Sequence, residues 1–402
     1  MKQSGTFIAF ALLVFIGFSP VQVRSESAIL NPLLATLKRV GPEGEGNAEA
    51  AAAWEKITEV GAPAIIPILE AMSGSGPLTR NWMRSAVEAI FEKETKAGTA
   101  IDPAALETFF SNREHDANAR DLAYDLLTKI DANEAASLIP SMLDDPAPPL
   151  RRLAVAQLIT RGKSELAAGK KEASLATLNE ALSAARDIKQ INEIAKLLRG
   201  KLEQKVDLPK HFGFLSHWHL IAPFDNTGKE GFDTVFPPEK EIDLEAAYEG
   251  KESKEVKWQE YATSDDYGMV DFNTPYSPLK EVTGYAYTEY ESGEARDAEL
   301  RLGCKNAWKV WLNGELIFGR DEYHRGARID QYVLPVKLKK GKNALLVKAC
   351  QNEQEQTWTV EWQFQLRVCD STGTAILATN RKPTPEPEVK ARKRGAAAEE
   401  EK

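Results

Sequence analysis

The sequence predicts a multidomain α plus β protein: an N-terminal α-solenoid followed by an antiparallel β-sandwich. Three observations carry that prediction. From about 30 to 205 the chain is rich in Ala and Leu, with apolar residues three and four apart. Inside that stretch a register recurs. Arg84, Val87 and Phe91 share their spacing with Arg120, Ala123 and Leu127, and with Arg151, Ala154 and Leu158, at offsets of 36 and 31 residues. From about 206 apolar and polar residues alternate and turn dipeptides recur, the pattern of half-buried strands.

The chain begins with Lys2 and the apolar run "FIAFALLVFIGF" (7 to 18), then "SPVQVRSES". That run is too short for a comfortable membrane span, and Val23 and Ser25 fit the small-residue pattern before a signal-peptidase cut. Residues 1–25 therefore read as a signal peptide, with an uncleaved anchor as the alternative. Either way the rest of the chain is exported, to a periplasm or beyond, and carries no further membrane span. The 402 residues hold 51 Lys and Arg against 60 Asp and Glu, a net charge of −9. A general nucleic-acid binder needs the opposite field, so nucleic acid is excluded as a partner. Cys304, Cys350 and Cys369 do not make a disulfide framework. They read as small buried strand residues, with Cys350–Cys369 or Cys304–Cys350 pairing left open.

Residues 28–163 read as the repeat array. A second register links "AIIPILEAM" (64 to 72) with "LIPSML" (138 to 143), where Pro67 and Pro140 lie 73 residues apart, about two repeat lengths. "DDPAPPLRRLAVAQL" (144 to 158) resembles the loop and first helix of a HEAT-type repeat. A proline-started turn, an Arg on the solvent side and Ala at the close helix contact all make sense there. Each repeat cannot bury its apolar face alone, so neighbours stack, and the concave face of such a stack implies a protein partner. An irregular helical bundle is the alternative. Residues 164–205 read as a helical cap and connector, loosely tetratricopeptide-like, with Leu175, Leu178 and Leu182 forming a packing stripe.

Residues 206–378 read as the sandwich. In "TWTVEWQFQLRV" (357 to 368) Trp358, Val360, Trp362, Phe364, Leu366 and Val368 share one parity. One long strand would point all six inward, with both tryptophans in the core. In "AWKVWLNGELIFG" the parity puts Trp308, Val310 and Leu312 on one face and Lys309 and Trp311 on the other. Asn313-Gly314 is the bend, since both residues tolerate positive φ. "LPVKLKKGKNALLVKACQN" (334 to 352) reads as a second hairpin turning at Lys340-Gly341-Lys342. Many short antiparallel strands with long connections point to a sandwich of jelly-roll type.

"VWLNGELI", "GKNALLVKA" and "WTVEWQFQLRVCDSTG" together resemble the galactose-binding-like jelly roll of glycoside-hydrolase accessory domains. With "HFGFLSHWHLIAPFDNTGKEGFDTVFPPEKEIDL" (211 to 244) and "DEYHRGARIDQYVL", most of residues 165 to 375 resembles uncharacterised exported planctomycete proteins that join helical repeats to this sandwich. Ala222 stands where that group leads one to expect Gly before Pro223, a change expected to alter a turn. The resemblance implies carbohydrate binding, protein binding or a structural role, and supplies no reaction.

The loop "RDEYHRGARIDQY" (320 to 332) is the candidate ligand site. Arg320, Arg325 and Asp330 offer bonds to sugar hydroxyls, beside His324, while Tyr323 or Trp311 offers a stacking face. The alternative is a surface loop pinned by its own salt bridges, with His324 donating to a carbonyl. Asp265 and Asp266 in "TSDDYG" are candidates for a structural calcium ion; no other cofactor is expected. His217 and His219 make half of a zinc site, set against Trp218 and Leu220 simply pointing inward.

Carboxylates such as Glu239, Asp233 and Asp271 are plentiful, but no nucleophile elbow, metalloprotease helix, phosphate loop or dinucleotide fingerprint occurs. No catalytic residue is assigned. Residues 379–402, rich in Pro and mixed charge, read as a disordered tail. Its cluster Lys390, Arg392, Lys393 and Arg394 suits either an anionic surface or plain solvent. The reading is an exported, non-catalytic interaction protein, binding a protein through its repeats and a glycan through its jelly roll. The alternative is a component of polysaccharide degradation, accessory or catalytic.

Overall fold

The computed structural model describes residues 20–386. The leader's apolar run and the basic cluster Lys390, Arg392, Lys393 and Arg394 lie outside the described residues. Helices come first and antiparallel sheets after, so the chain is a multidomain α plus β protein. It divides into two compact units, one up to Thr160 and one from Arg161.

The first unit holds α1 (Pro20–Leu37), α2 (Asn47–Val60), α3 (Ile65–Ala71), α4 (Pro77–Ala97), α5 (Pro103–Ser111), α6 (Ala117–Ile130), α7 (Ala132–Leu138) and most of α8 (Pro148–Ala167). Sequence chemistry sets several boundaries. Asp102, Asp116 and Asp131 cap α5, α6 and α7, each accepting a backbone N–H two residues on, at 3.0, 2.9 and 2.9 Å. Gly98, at φ 72°, ends α4 in the left-handed conformation that glycine adopts without strain. The faces spaced three and four apart meet in one core: Ala50, Ala53 and Ile57 from α2, Met83, Val87 and Ile90 from α4, Leu122, Ala123 and Leu126 from α6.

Of the recurring apolar positions, Val87, Phe91, Ala123, Leu127 and Ala154 are buried and Leu158 is half-buried. The arginines differ. In the stretch expected to keep an Arg on the solvent side Arg152 is exposed, but the register position Arg151 is 8 % exposed and Arg120 only 2 %. Arg120 grips Asp145 with two parallel bonds of 2.8 and 2.7 Å and gives its Nε to the Phe110 carbonyl. Arg151 Nε donates to the Asp145 carbonyl at 2.7 Å. Two of the three register arginines are internal braces; Arg84 alone stays half exposed, beside Glu88 and Asp125.

In the second unit α9 (Lys171–Ala184) and α10 (Ile188–Lys201) pack through Leu178, Ile191, Ile194 and Leu198. The short α11 (Leu208–Phe212) leads into the strands: β1 (His217–Asp225), β2 (Ala247–Glu249), β3 (Glu255–Lys257), β4 (Gln259–Ala262), β5 (Val270–Asp271), β6 (Val282–Ser292), β7 (Arg296–Cys304), β8 (Ala307–Leu312), β9 (Glu315–Arg320), β10 (Tyr332–Leu338), β11 (Gly341–Gln351) and β12 (Gln363–Cys369). A six-stranded sheet runs β4-β1-β6-β11-β8-β9 and a four-stranded sheet β10-β7-β12-β5. Their facing sides share one core in which Trp218, Trp308 and Val347 of the first meet Leu300, Leu302, Phe364 and Leu366 of the second. Asn313 (φ 54°) and Gly314 (φ 85°) make the tight β8–β9 bend, as their residue types demand.

Four expectations for the strands change. First, β10 and β11 are not a hairpin: β10 pairs with β7 and β11 with β6 and β8, in different sheets. Asn343 shapes the corner, bonding the Lys339 N–H and the Lys339 and Gly341 carbonyls. Second, the strand expected over 357 to 368 starts only at Gln363. A strand extends only as far as its neighbours do; β7 ends at Cys304, opposite Phe364, and β5 offers two residues. The preceding residues turn instead, so Trp362 is fully buried while Trp358 is 56 % exposed. Third, Ala222 sits inside β1, where the pairing with β6 slips between Ile221 and Phe224 around Pro223.

Fourth, the six-stranded sheet is covered on its second face as well. Ile221, Phe224, Tyr285, Tyr287, Trp311 and Leu346 pack there under Val256, Trp258 and Phe236. Lys348, wholly buried on that face, donates to the Phe232 and Thr234 carbonyls (3.1 and 2.7 Å) and to Glu239 (2.8 Å), which also accepts the Tyr285 hydroxyl. Past residue 378, where the tail was expected to begin, Thr379 N–H still donates to the Glu291 carbonyl of β6 at 2.8 Å.

Candidate functional site

The candidate site is built where loops following β1, β9 and β11 are tied together. Its foundation is a buried polar network. Asn226, Asn306, Gln351, Asn352 and Thr359 are each at most 1 % exposed. Asn226 Nδ2 donates to the Gln351 carbonyl at 2.9 Å, Asn306 Nδ2 to Gln351 Oε1 at 3.2 Å, and Gln351 Nε2 to the Thr359 carbonyl at 2.9 Å. Lys280 donates to the Gln354 and Thr359 carbonyls from below the same turn. These bonds tie the loops after β1 and β11 to one another, while Asn226 Oδ1 and Gln354 Oε1 stay buried with no partner among the described residues.

Three aromatic side chains stand on that foundation. Asn226 Nδ2 also donates to the Tyr323 hydroxyl at 3.1 Å, which leaves the phenol proton free to donate. His324, at φ 57°, puts Nε2 2.7 Å from Asn352 Oδ1. That oxygen also accepts the Gln354 N–H at 3.2 Å, so it is an acceptor and His324 Nε2 carries the proton. The other ring nitrogen, Nδ1, is a buried acceptor without a protein partner. Burial holds the imidazole below its usual pKa against the Asn352 bond, with Lys280 and Lys305 adding to the depression. Trp358 and His324 are perpendicular, ring centroids 5.6 Å apart at 87°, and the Tyr323 ring lies 6.2 Å from that of His324. An exposed indole fixed between a rigid turn and a neutral imidazole is an open stacking face.

The sequence-read site residues separate. Tyr323 and His324 come together here. Arg320 and Arg325 both pair with Glu322, at 2.7 and 3.2 Å, on the exposed rim. Trp311 is 7 % exposed and packs on the second face of the six-stranded sheet, away from the loop. Asp330 is clamped by Arg367 (2.7 and 2.5 Å) and Arg301 (2.9 Å). Burial raises its pKa, but the two guanidiniums outweigh that and hold it below the usual carboxylate range. It fastens the loop to the four-stranded sheet.

The residue that sequence reasoning missed is Trp358, because its parity matched the buried set. The one signal against a strand was the polar run "QNEQEQ" (351 to 356) just before it, which has no apolar partner row.

The metal candidates are engaged elsewhere. Asp265 Oδ1 accepts the Tyr267 and Met269 N–H groups at 2.8 and 3.2 Å, and Asp266 pairs with Arg199 at 2.6 Å. Trp218 and Leu220 point inward, so His217 and His219 face out. Among the described residues no group of three or more His, Cys, Asp or Glu is placed to hold a metal ion. The three cysteines are buried free thiols. Among the described residues no helix is long and apolar enough to cross a membrane.

No family model matches this chain, and no curated protein does. Solved structures with partial likeness include a β-glucosidase from Kluyveromyces marxianus in complex with glucose, 19 % identical over 22 % of this chain and 11 % of that one, TM-score 0.18. A GH31 α-xylosidase from Xanthomonas citri is 10 % identical over 39 % and 16 %, TM-score 0.20. A β-glucuronidase from Faecalibacterium prausnitzii is 15 % identical over 39 % and 31 %, TM-score 0.23. This chain spans less than a third of each, and likenesses at these scores carry no argument.

Proposed function

We propose that this is an exported, non-catalytic interaction protein whose two-sheet unit binds a neutral glycan across the Trp358 face. The observation that carries the reading is the exposed indole, held by buried polar bonds beside Tyr323 and His324. A sugar ring lays its C–H face on an aromatic plane, and the free phenol proton of Tyr323 is within the same loop cluster to meet a hydroxyl. The strand order and resemblance favour a galactose-binding-like jelly roll.

The helical unit, in this reading, is a HEAT-like solenoid presenting a protein-binding face, its buried Arg120–Asp145 brace stiffening one turn of the stack. The leader sends both units out of the cytoplasm, related to exported planctomycete proteins of the same design. No residue is assigned a catalytic role.

The test is retention of the full chain in gels containing soluble polysaccharides, galactans among them. Trp358→Ala should weaken retention at least tenfold on one of them, about 1.4 kcal/mol, while Tyr323→Phe has a smaller effect. Retention that Trp358→Ala leaves unchanged would overturn the reading. So would absence of retention across the panel.

A further inference from the structure

On another face of the same unit, the outer side of β4, β1 and β6 carries a groove of about 540 Å³. Strand parity makes its floor: His217 and His219 face out, with Glu260 opposite His219 on β4 and Tyr287 opposite it on β6. The chain after β12 makes its wall. Asn380 Nδ2 donates to the Glu289 carbonyl at 3.0 Å, which brings Arg381 and Lys382 to the groove beside His217.

Positive charge there goes unanswered. Arg381 gives Nη1 to the Phe214 carbonyl at 2.7 Å, but its Nη2 is buried with no acceptor among the described residues. The carboxylate whose field reaches Arg381, Asp207, already accepts from the Lys210 N–H at 2.9 Å and the Thr384 hydroxyl at 3.0 Å. Glu289 pairs with Lys342 and accepts the Tyr287 hydroxyl at 3.0 Å. Glu260 is mostly exposed and 4.0 Å from His219 Nε2. His217 registers the excess: burial, then Lys382 and Arg381, hold it below its ordinary pKa against the weaker pull of Glu260. A buried N–H without an acceptor costs free energy that an arriving acceptor recovers.

We propose that this groove is a second sugar subsite, selective for a ring bearing an anionic oxygen group. Arg381, Lys382 and His217, which line the groove, receive the anion, and Glu260 with His219 receives hydroxyls. A bare inorganic anion meets only the first half of that set. A hydroxylated acid satisfies both halves. A carboxylate and a sulfate ester offer the same anionic oxygens, so the test separates them.

The experiment is calorimetric titration of the full chain carrying Trp358→Ala, which silences the first site whether or not that reading holds. The probes are galacturonate, galactose 6-sulfate, galactose and inorganic sulfate. At least one acidic sugar should bind tenfold or more tightly than galactose and than inorganic sulfate, and the stronger of the two identifies carboxylate or sulfate. Lys382→Ala with His217→Gln, checked for an unchanged melting temperature, should weaken that binding at least tenfold. Equal affinity for galactose, equal affinity for inorganic sulfate, no binding of either acidic sugar, or a double variant that binds as before would each overturn the proposal.

Discussion

Buried charge serves different ends in the helical unit and in the two-sheet unit. In the first, Arg120 and Asp145 pair across 25 residues of sequence, joining α6 to the turn before α8 inside an otherwise apolar region. In the second, Lys348 reaches back 116 residues to the Phe232 carbonyl and pins an irregular segment over a strand. Asp330 does the same for the loop beside the Trp358 face. The helical brace centres on one aspartate, Asp145, whose carboxylate takes Arg120 and whose carbonyl takes Arg151. The sheet pins are long-range, and they let irregular backbone lie over a sheet with its polar groups answered.

The contrast can be broken most sharply at Asp145. Asp145→Ala leaves the Arg120 guanidinium buried and unpaired, which should cost about 3–5 kcal/mol. Denaturant unfolding would show this as a shifted transition of the helical unit alone; a loss below 1 kcal/mol would mean the brace is dispensable. Two tryptophans four residues apart sharpen the same comparison within the sheet unit. Trp362→Ala should cost roughly 3–5 kcal/mol through an unfilled core, and Trp358→Ala less than about 0.5 kcal/mol. Equal losses in a thermal melt would mean that Trp358 is structural.

Acid should then separate the units. Burial, with the nearby Arg186, lowers the His211 pKa to about 4. The unfolded imidazole binds its proton near 6.5, so between these values the unfolded state holds the extra proton. The stability His211 contributes is whole above about pH 6.5 and falls as pH drops toward 4, by up to about 3 kcal/mol. His211→Gln should flatten that part of the sheet unit's stability–pH curve; an unchanged slope would remove His211 as its cause. Smallest are the helix caps. Asp116→Ala should lower the helical unit's stability by about 1 kcal/mol, read from the urea midpoint at constant slope.

Much of this architecture was legible residue by residue. The change from three-four spacing to alternation near 206, the Asn313-Gly314 bend and the inward parity of Trp218 and Trp308 follow from local backbone chemistry. The candidate site was half legible: Tyr323 and His324 were in view, but Trp358 was hidden in a pattern that matched a strand. Trp311 and Asp330 looked available because nothing near them in sequence announces Trp258, Arg301 or Arg367.

The sequence by itself determined which residues favour helix or strand, where each element is capped or bent, and which parity each strand buries first. Those preferences act over a few residues and are written in side-chain shape and hydrogen-bonding groups. Only the tertiary structure decided that the six-stranded sheet is covered twice, that β10 and β11 part into different sheets, and that β12 stops short of Trp358. Burial belongs to a pair of surfaces, and the second surface in each case comes from a distant stretch of chain.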